Sequence, residues 1–181
     1  MFIKLRILSL ALLFSAFTCF SQEWVHNDTA SAITFTIKNF GFKVAGSFND
    51  FTISSNFDSD NLKNSFLNAE IEVKSIFTDS ESRDAHLLES DYFAAEKHSK
   101  ITFESTEIAI EKKSKYRLTG FLTIKGVKKT VVTFLEVTRL KTGITMLANF
   151  KLDRKYFGVG GNSLVLSDDV NIKMRYVGSR N

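Results

Sequence analysis

The stretch SFLNAEIEVKSI, residues 65–76, alternates apolar and polar side chains with a period of two. Leu67, Ala69, Ile71 and Val73 fall on one side of an extended chain, and the polar residues between them fall on the other. A β-strand with this pattern buries one face and exposes the other to water, as strands of antiparallel sheets do.

The same period recurs in seven other segments, so the chain contains about eight one-sided strands. Their apolar faces are Ile33, Phe35 and Ile37; Phe42, Val44 and Phe48; Ile101 and Phe103; Tyr116, Leu118, Leu122 and Ile124; Val132 and Phe134; Ile144, Met146, Ala148 and Phe150; and Val170, Ile172, Met174 and Tyr176. The chain has no proline to protect an edge strand, and closure removes edges altogether. We therefore predict an all-β fold, an eight-stranded antiparallel β-barrel in one domain.

The first 21 residues have the layout of a secretory signal peptide. Lys4 and Arg6 precede an uncharged run from Ile7 to Phe20, which at about 14 residues is too short for the roughly 20 that span a bilayer. We predict a signal peptide over 1–21, a barrel domain over 22–181, and a periplasmic or secreted location. Cys19 is the one cysteine and lies in the leader, so the exported chain has no thiol for a disulfide, a metal or catalysis.

The charge pattern excludes some partners. The formal net charge is +4, of which the leader carries two, and no basic block accumulates in the remainder. A nucleic-acid partner is therefore not expected, and contact with a membrane is expected to be peripheral at most. The sequence leaves open whether the chain is a monomer or a homodimer.

The segment SRDAHLLESDYF, residues 82–93, interrupts the strands and predicts one short helix that covers an end of the barrel. Thr78 and Glu81 have the spacing of a capping box at its start. Three apolar residues at i, i+3 and i+7 form a helical stripe, namely Ala85, Leu88 and Tyr92.

Several residues of this region are of types that occur in active sites and metal sites, but their spacing does not support either kind of site. On a helix, Asp84 and His86 point about 200° apart, which prevents a base and its orienting carboxylate from meeting. A metal would need Asp84, His86 and Asp91 to converge through tertiary structure, since no paired-histidine zinc motif is present. For Arg83 and Asp84, an ion pair or buried hydrogen bonds that tie the helix to the barrel agree with the sequence as well as any ligand role does. Gly158–Gly161 lacks the lysine of a phosphate loop and predicts a turn.

The aromatic content indicates an apolar interior. Fourteen phenylalanines lie beyond residue 21, many of them at alternating strand positions. An eight-stranded barrel is either filled by its side chains or wide enough for one small ligand. Each buried methylene contributes about 0.8 kcal/mol, so a long lipid tail would be held strongly in such a lumen.

Individual runs of the chain resemble the YceI-like family. The opening run WVHNDTASAITFTIKNFGFKVAGSF is similar to that family's beginning, and SIFTDSESRDAHLLESDYFAAEKHSKITFES is similar to its central signature, with RD-x-HL, D-[FY]-F and I-x-F-x-S. Three later runs match further segments in order, namely LTIKGVKKTV, LDRKYFGVG and LSDDVNIKM. The resemblance covers essentially all of the chain after the leader.

The resemblance implies a lipocalin-like antiparallel β-barrel that is exported to the periplasm, and it implies no catalytic activity. We expect no cofactor and no metal. The implied partner is a polyisoprenoid or another long-chain lipid, such as an isoprenoid quinone or a fatty-acid derivative. Three positions depart from the family pattern. Ala30 replaces a histidine, which removes a polar contact, and Ser99 and Thr130 replace prolines, which affects loops more than the lumen.

Ten residues are the predicted ligand contacts. Arg83 and His86 would lie near the mouth, beside the polar head of the lipid, with anchoring of the helix as the equal alternative. The predicted tail contacts are Phe35, Ile37, Phe42, Val44, Phe48, Phe93, Leu118 and Leu122. Alternation assigns a common face to each strand without showing which face is inside, and a shift of one residue would exchange the set for its neighbours.

The sequence is also compatible with two other functions. One is a structural or stress-related barrel with a filled core and no ligand. The other is an enzyme acting in the lumen, which would need a pair of titratable groups that the inward faces scarcely offer.

Overall fold

Eleven β-strands and one α-helix make up the part of the chain that the computed structural model describes, residues 23–179. The strands are β1 (Val25–His26), β2 (Ala32–Asn39), β3 (Phe42–Phe48), β4 (Phe51–Ser55), β5 (Leu67–Glu72), β6 (Ile76–Phe77), β7 (Lys100–Lys112), β8 (Lys115–Ile124), β9 (Val127–Arg139), β10 (Gly143–Asp153) and β11 (Leu166–Ser179), and helix α1 (Glu81–Leu87) lies between β6 and β7. Short 3-10 turns occupy Leu62–Asn64, Val73–Ser75 and Arg154–Phe157. The predicted signal peptide lies outside the described residues.

All strands pair antiparallel in one sheet, in the order β4-β5-β7-β8-β9-β10-β11-β2-β3-β6, with β1 added to β11. The chain itself joins the ends of this path, because only Asn49 and Asp50 separate β3 from β4. Backbone bonds bridge this interruption, from Asn49 N to Ser75 O (3.1 Å) and from Glu72 N to Asp50 O (3.0 Å). The pairing therefore continues round the whole circumference.

The antiparallel barrel is thus confirmed, whereas the predicted count of about eight strands is lower than the eleven strands of the described residues. The 3-10 turn at Val73–Ser75 divides residues 65–76, which the alternation predicts as one strand, into β5 and β6. Asn49 and Asp50 likewise divide β3 from β4. When each divided pair is taken as one bent strand, the ring has eight positions, and the short β1 is the addition that no alternation signals.

One end of the barrel is filled by aromatic side chains. The indole Nε1 of Trp24 donates to Phe57 O (2.9 Å), and Tyr176 Oη donates to Trp24 O (3.2 Å). Burial raises the pKa of Tyr176 to about 12, so its phenol remains a donor at ordinary pH. Phe57 packs edge-on against Tyr116 with ring centroids 4.9 Å apart. Any ligand space must therefore lie toward the other end.

His26 sits in this filled end without full hydrogen bonding. Its ring stacks on Tyr176, Nδ1 accepts from Ile53 N (3.4 Å), and Nε2 is buried without a partner among residues 23–179. Burial lowers the pKa of His26, against a smaller opposing effect of Asp28. Protonation therefore occurs more readily in the unfolded chain than in the barrel.

A His26→Gln variant is expected to weaken the acid sensitivity of the barrel. The stability that neutral His26 contributes is complete above its unfolded pKa of about 6.5 and is lost as the pH falls through the lower folded-state pKa. Urea unfolding of both proteins between pH 8 and pH 5 measures this. Equal losses of stability in the two proteins over that range would contradict the assignment.

The apolar face that alternation assigns to β9, Val132 and Phe134, lies outside the barrel. Thr133 and Leu135 point into the barrel and are buried, while Val132 and Phe134 are exposed outside, where the Lys115 ammonium lies 4.4 Å above the Phe134 ring. Apolar residues occur at both parities in this strand, so alternation alone does not choose a face. Pairing with β8 makes the choice.

Helix α1 begins differently from the prediction. Ser80 is its N-cap and forms no capping hydrogen bond through its side chain, so the predicted capping box is wrong. The Thr78 hydroxyl instead donates to the Asp84 carboxylate. The helix ends at Leu87, and Ala85 is exposed, so the predicted apolar stripe is also wrong. Hydrogen bonds of helix residues with Thr78 take the place of the capping box. Since Thr78 directly follows β6, they attach the helix to the end of that strand.

Candidate functional site

An apolar cavity of about 320 Å³ occupies the other end of the barrel and opens to solvent there. Its wall consists of inward-facing strand residues, and the turn after β2, helix α1 and the loop from residue 154 to 166 surround its mouth. The volume is at the lower end of the range for ligand pockets, about 300–1,000 Å³. Such a cavity offers a ligand burial of apolar surface as its main interaction.

Nine of the ten predicted contact residues lie in the cavity wall or at its mouth. They are Phe35, Ile37, Val44, Phe48, Arg83, His86, Phe93, Leu118 and Leu122. Phe42 lies outside the cavity, with 77% of its surface exposed, because it ends the β2–β3 hairpin opposite Asn39, beyond the enclosed part of the barrel. Contact of these residues with a ligand stays a prediction.

Two phenylalanines of the wall lie against glycines. A Cβ at Gly46 would be 2.4 Å from Phe35 Cζ, and a Cβ at Gly120 would be 2.5 Å from Phe103 Cζ. The glycines let both rings lie against the sheet, which leaves the centre of the cavity free. The group that approaches Gly46 closely is thus the side chain of Phe35.

A Gly46→Ala variant is expected to lose about 1–3 kcal/mol of stability, because the new methyl group pushes the Phe35 ring off the wall. Chemical denaturation of the single variants and of Gly46→Ala/Phe35→Leu measures the coupling. The double variant should lose less than the sum of the single losses. Strict additivity would mean that the ring and the glycine are independent.

Thr133 is the polar exception within the apolar wall. Its hydroxyl is buried and has no hydrogen-bond partner among residues 23–179. An unsatisfied buried hydroxyl costs about 1–3 kcal/mol.

A Thr133→Val variant is therefore expected to stabilise the ligand-free protein by about 1 kcal/mol, since valine keeps the shape and removes the unsatisfied group. Thr130→Val, at an exposed position of the same strand, is the matched control and should show no comparable gain. The measurement is the unfolding free energy in urea, and a loss of stability in Thr133→Val would show that the hydroxyl has a partner.

Polar groups collect at the cavity mouth around Arg83. Its Nε donates to Thr78 Oγ1 (2.7 Å) and its Nη2 donates to Thr78 O (2.6 Å). Within residues 23–179 Arg83 forms no ion pair, and three of its five N–H donors have no protein partner. Of the two anchoring modes that the sequence allows, the structure has the hydrogen bonds. The guanidinium also borders the cavity, so anchoring and ligand contact are compatible.

His86 is more exposed than Arg83. Its Nδ1 lies 3.2 Å from Glu89 Oε2, and its ring packs edge-on against Tyr92 with centroids 4.8 Å apart. The side chain is 56% exposed, so it belongs to the outer edge of the mouth. It can meet a group that projects from the cavity but not one that lies deep inside.

Arg154 is a buried charge at the mouth that the list of predicted contacts lacks. Its side chain is 4% exposed and donates to the carbonyls of Ser167, Val159, Gly161 and Leu166 and to the Asp168 carboxylate, at 2.7–3.2 Å. The guanidinium thereby closes the loop that forms one side of the mouth. Its position in the segment LDRKYFGVG is the sequence signal that marks it.

The loop beside Arg154 has the conformation of a turn, as predicted for residues 158–161. Gly158, Gly160 and Gly161 have φ values of 66°, 72° and 46°. A Cβ at Gly160 would be 2.8 Å from Tyr92 Cε1, so the glycine also permits close packing. Lys125 Nζ donates to Gly158 O (2.7 Å), which ties this turn to the β8–β9 turn.

Residues 23–179 show neither a metal site nor a membrane-spanning helix. There, no three or more histidine, cysteine, aspartate or glutamate side chains converge as metal ligands. Nor does that part contain a helix with the length and apolar character needed to cross a bilayer.

Fold and cavity together define a class of protein, the antiparallel β-barrel with an apolar pocket that opens at one end. Within that class, the chain belongs to the YceI-like domain family, whose model matches residues 24–177.

Individual relatives agree with this assignment. A UPF0312 protein of Photorhabdus laumondii is 40% identical over 101 residues, which are 55% of this chain and 52% of that protein. The chain thus spans about half the length of the curated relatives it matches. The crystal structure of BcnA from Burkholderia cenocepacia is similar with a TM-score of 0.82 and 25% identity, over 85% of this chain and 99% of that one.

A third similar structure is a polyisoprenoid-binding domain from Saccharophagus degradans that is implicated in plant cell wall breakdown. It has a TM-score of 0.68 over 87% of this chain and 98% of that chain. At 16% identity, the likeness concerns the fold alone.

Proposed function

We propose that this protein binds one long apolar lipid in the barrel cavity and carries or sequesters it outside the cytoplasm. The observation that supports the proposal most is the distribution of polarity, with an apolar wall and polar side chains gathered at the mouth. A ligand that matches it has a hydrocarbon tail and one polar head. Polyisoprenoids, isoprenoid quinones and fatty-acid derivatives have this form.

The proposed orientation places the tail inside and the head at the mouth. The tail packs against Phe35, Phe48 and Leu122, and each methylene withdrawn from water contributes about 0.8 kcal/mol. The three unused N–H donors of Arg83 are available to oxygen atoms of the head, and hydrogen bonds from a charged donor are the stronger ones. His86 adds a contact only for a head that extends outward.

A binding role is favoured over catalysis by the chemistry of the cavity. The charged side chains that border it, Arg83 and Arg154, are held by hydrogen bonds at the mouth, and a guanidinium group donates hydrogen bonds but has no acceptor. Among the described residues that line the cavity, His86 is the one histidine and no aspartate or glutamate is present; His86 lies beside Glu89 at the outer edge of the mouth, away from a bound tail. The leader-like residues 1–21 support an exported location, and the polyisoprenoid-binding domain of Saccharophagus degradans is a precedent for the ligand class on this fold.

Organic extraction of the protein purified from its native source, followed by mass spectrometry, tests the proposal. We expect one lipid in near-stoichiometric amount, with a long hydrocarbon chain and a polar head. An empty extract from folded protein, together with no uptake of added prenyl alcohol or fatty acid, would refute lipid binding and favour a barrel without a ligand.

A further inference from the structure

Four apolar side chains project into solvent beside the cavity mouth and form what we call the rim patch, Phe40, Phe42, Leu164 and Val165. Phe40 and Phe42 are 70% and 77% exposed, and Leu164 is fully exposed. The Phe40 N–H donates to Val165 O (2.9 Å), so the two segments are adjacent. Single exposed apolar residues are common, but a cluster of large ones marks a surface that contacts something else.

The turn that carries the patch is unfavourable for the residue at its tip. Phe40 and Gly41 are the two central residues of the β2–β3 hairpin, with φ values of 50° and 79°. Such turns favour asparagine or aspartate at the first position, and a bulky residue there is an outlier that costs about 1–3 kcal/mol. At 70% exposure, Phe40 recovers little of this cost by packing in the folded chain.

Two unpaired lysines lie next to the patch. Lys38 and Lys43 are directly opposite each other on β2 and β3, an unfavourable arrangement for like charges. Neither forms an ion pair within residues 23–179, and residues 36–48 contain no acid. On the neighbouring strand β11, the carboxylates of Asp168 and Asp169 are already paired with basic side chains. The hairpin therefore carries uncompensated positive charge beside exposed aromatic rings.

We propose that the rim patch docks the barrel, mouth first, on the surface of an anionic lipid bilayer. Aromatic rings at the headgroup level and lysines facing anionic lipids are the combination that peripheral membrane proteins use. Docked in this way, the cavity mouth faces the bilayer, and an apolar ligand passes between the two with little exposure to water. Docking goes beyond the proposed function, because the rim patch contacts the bilayer whether or not the cavity is filled.

Flotation of the purified protein with vesicles tests the docking surface. Vesicles of phosphatidylcholine with phosphatidylglycerol are compared with pure phosphatidylcholine at low and high salt. We expect binding to the anionic vesicles that weakens with salt. Phe40→Asn should lower the partition coefficient at least about tenfold, and Lys38→Gln/Lys43→Gln should lower it about 30-fold. Asparagine suits the turn, so the first variant remains folded.

Matched controls lie at the filled end of the barrel. Leu140→Ser removes an exposed apolar side chain from the β9–β10 turn, and Lys112→Gln/Lys113→Gln removes two lysines near the β7–β8 turn. These variants should bind the anionic vesicles as strongly as the unchanged protein does. Equal binding by rim and control variants, or no binding to anionic vesicles, would overturn the proposal. A dimer that Phe40→Asn dissociates, without any effect on vesicle binding, would assign the patch to a second copy of the chain.

The extraction and flotation experiments together show which of the two proposals has failed. A lipid in the extract with no vesicle binding refutes docking alone. Vesicle binding by a protein whose extract is empty refutes lipid storage and leaves the docking surface intact.

Discussion

An Arg154→Met variant is expected to lose about 3–5 kcal/mol of unfolding free energy, because it removes a buried cation and leaves its partners unbonded. Four carbonyls and the Asp168 carboxylate accept hydrogen bonds from this one side chain. Most of these acceptors belong to the loop at the cavity mouth. We therefore expect that loop to open in addition to the loss of global stability.

Urea unfolding measures the first effect, and hydrogen exchange of residues 158–168 measures the second. Lys155→Met is the control, since its ammonium pairs with the same Asp168 carboxylate (2.7 Å) but lies on the surface, where ion pairs contribute little. Arg154→Lys keeps the charge without the planar fork and should fall between the two. If Arg154→Met and Lys155→Met unfold at the same urea concentration, the assigned role of Arg154 is wrong.

An Ile172→Trp variant is expected to bind lipid about 50-fold more weakly, if its indole displaces the equivalent of about three methylenes of the tail. Ile172 lies on β11 and lines the cavity, so a larger side chain there fills space that a ligand would occupy. The effect concerns binding far more than folding, because the added ring enters an existing cavity and not a packed core.

Displacement of a fluorescent long-chain fatty acid measures the affinity. Lys173→Trp is the matched control, because the neighbouring residue on the same strand is exposed on the opposite face. Its affinity should equal that of the unchanged protein. Undiminished binding in Ile172→Trp would show that the probe binds outside the cavity.

Much of the cavity wall was predictable from alternation. On β2 the large apolar residues Ile33, Phe35 and Ile37 fall on a single parity, and that face lines the cavity. On β10 the face with Phe150 lines the cavity, although Leu147 at the other parity is apolar and exposed. Strand β9 is different, because Val131 and Val132 are both apolar and the pattern has no preferred parity. Its inward face depends on pairing with β8, which places Thr133 opposite Leu118.

The residues at the mouth were less predictable because they act through contacts distant in sequence. Arg83 borders the cavity at its mouth, and its contact with a ligand stays a prediction. Its attachment through Thr78 replaces the predicted capping box. Phe42 follows the alternation of its strand yet lies outside the cavity, since parity does not report where the enclosed part of a strand ends. The segment LDRKYFGVG marks Arg154, but neither the strand period nor the helical period shows that its side chain is buried.

The sequence by itself determines the antiparallel β class, the apolar interior and the short helix between strands. These follow from the period of side-chain polarity, which is a local property of neighbouring residues. Only the tertiary structure decides that aromatic side chains fill one end, that a cavity remains at the other, and that Arg154 is buried at its mouth. The volume of a cavity and the burial of a side chain depend on contacts between residues far apart in the chain, such as Trp24 and Tyr176. A local sequence pattern does not report such contacts.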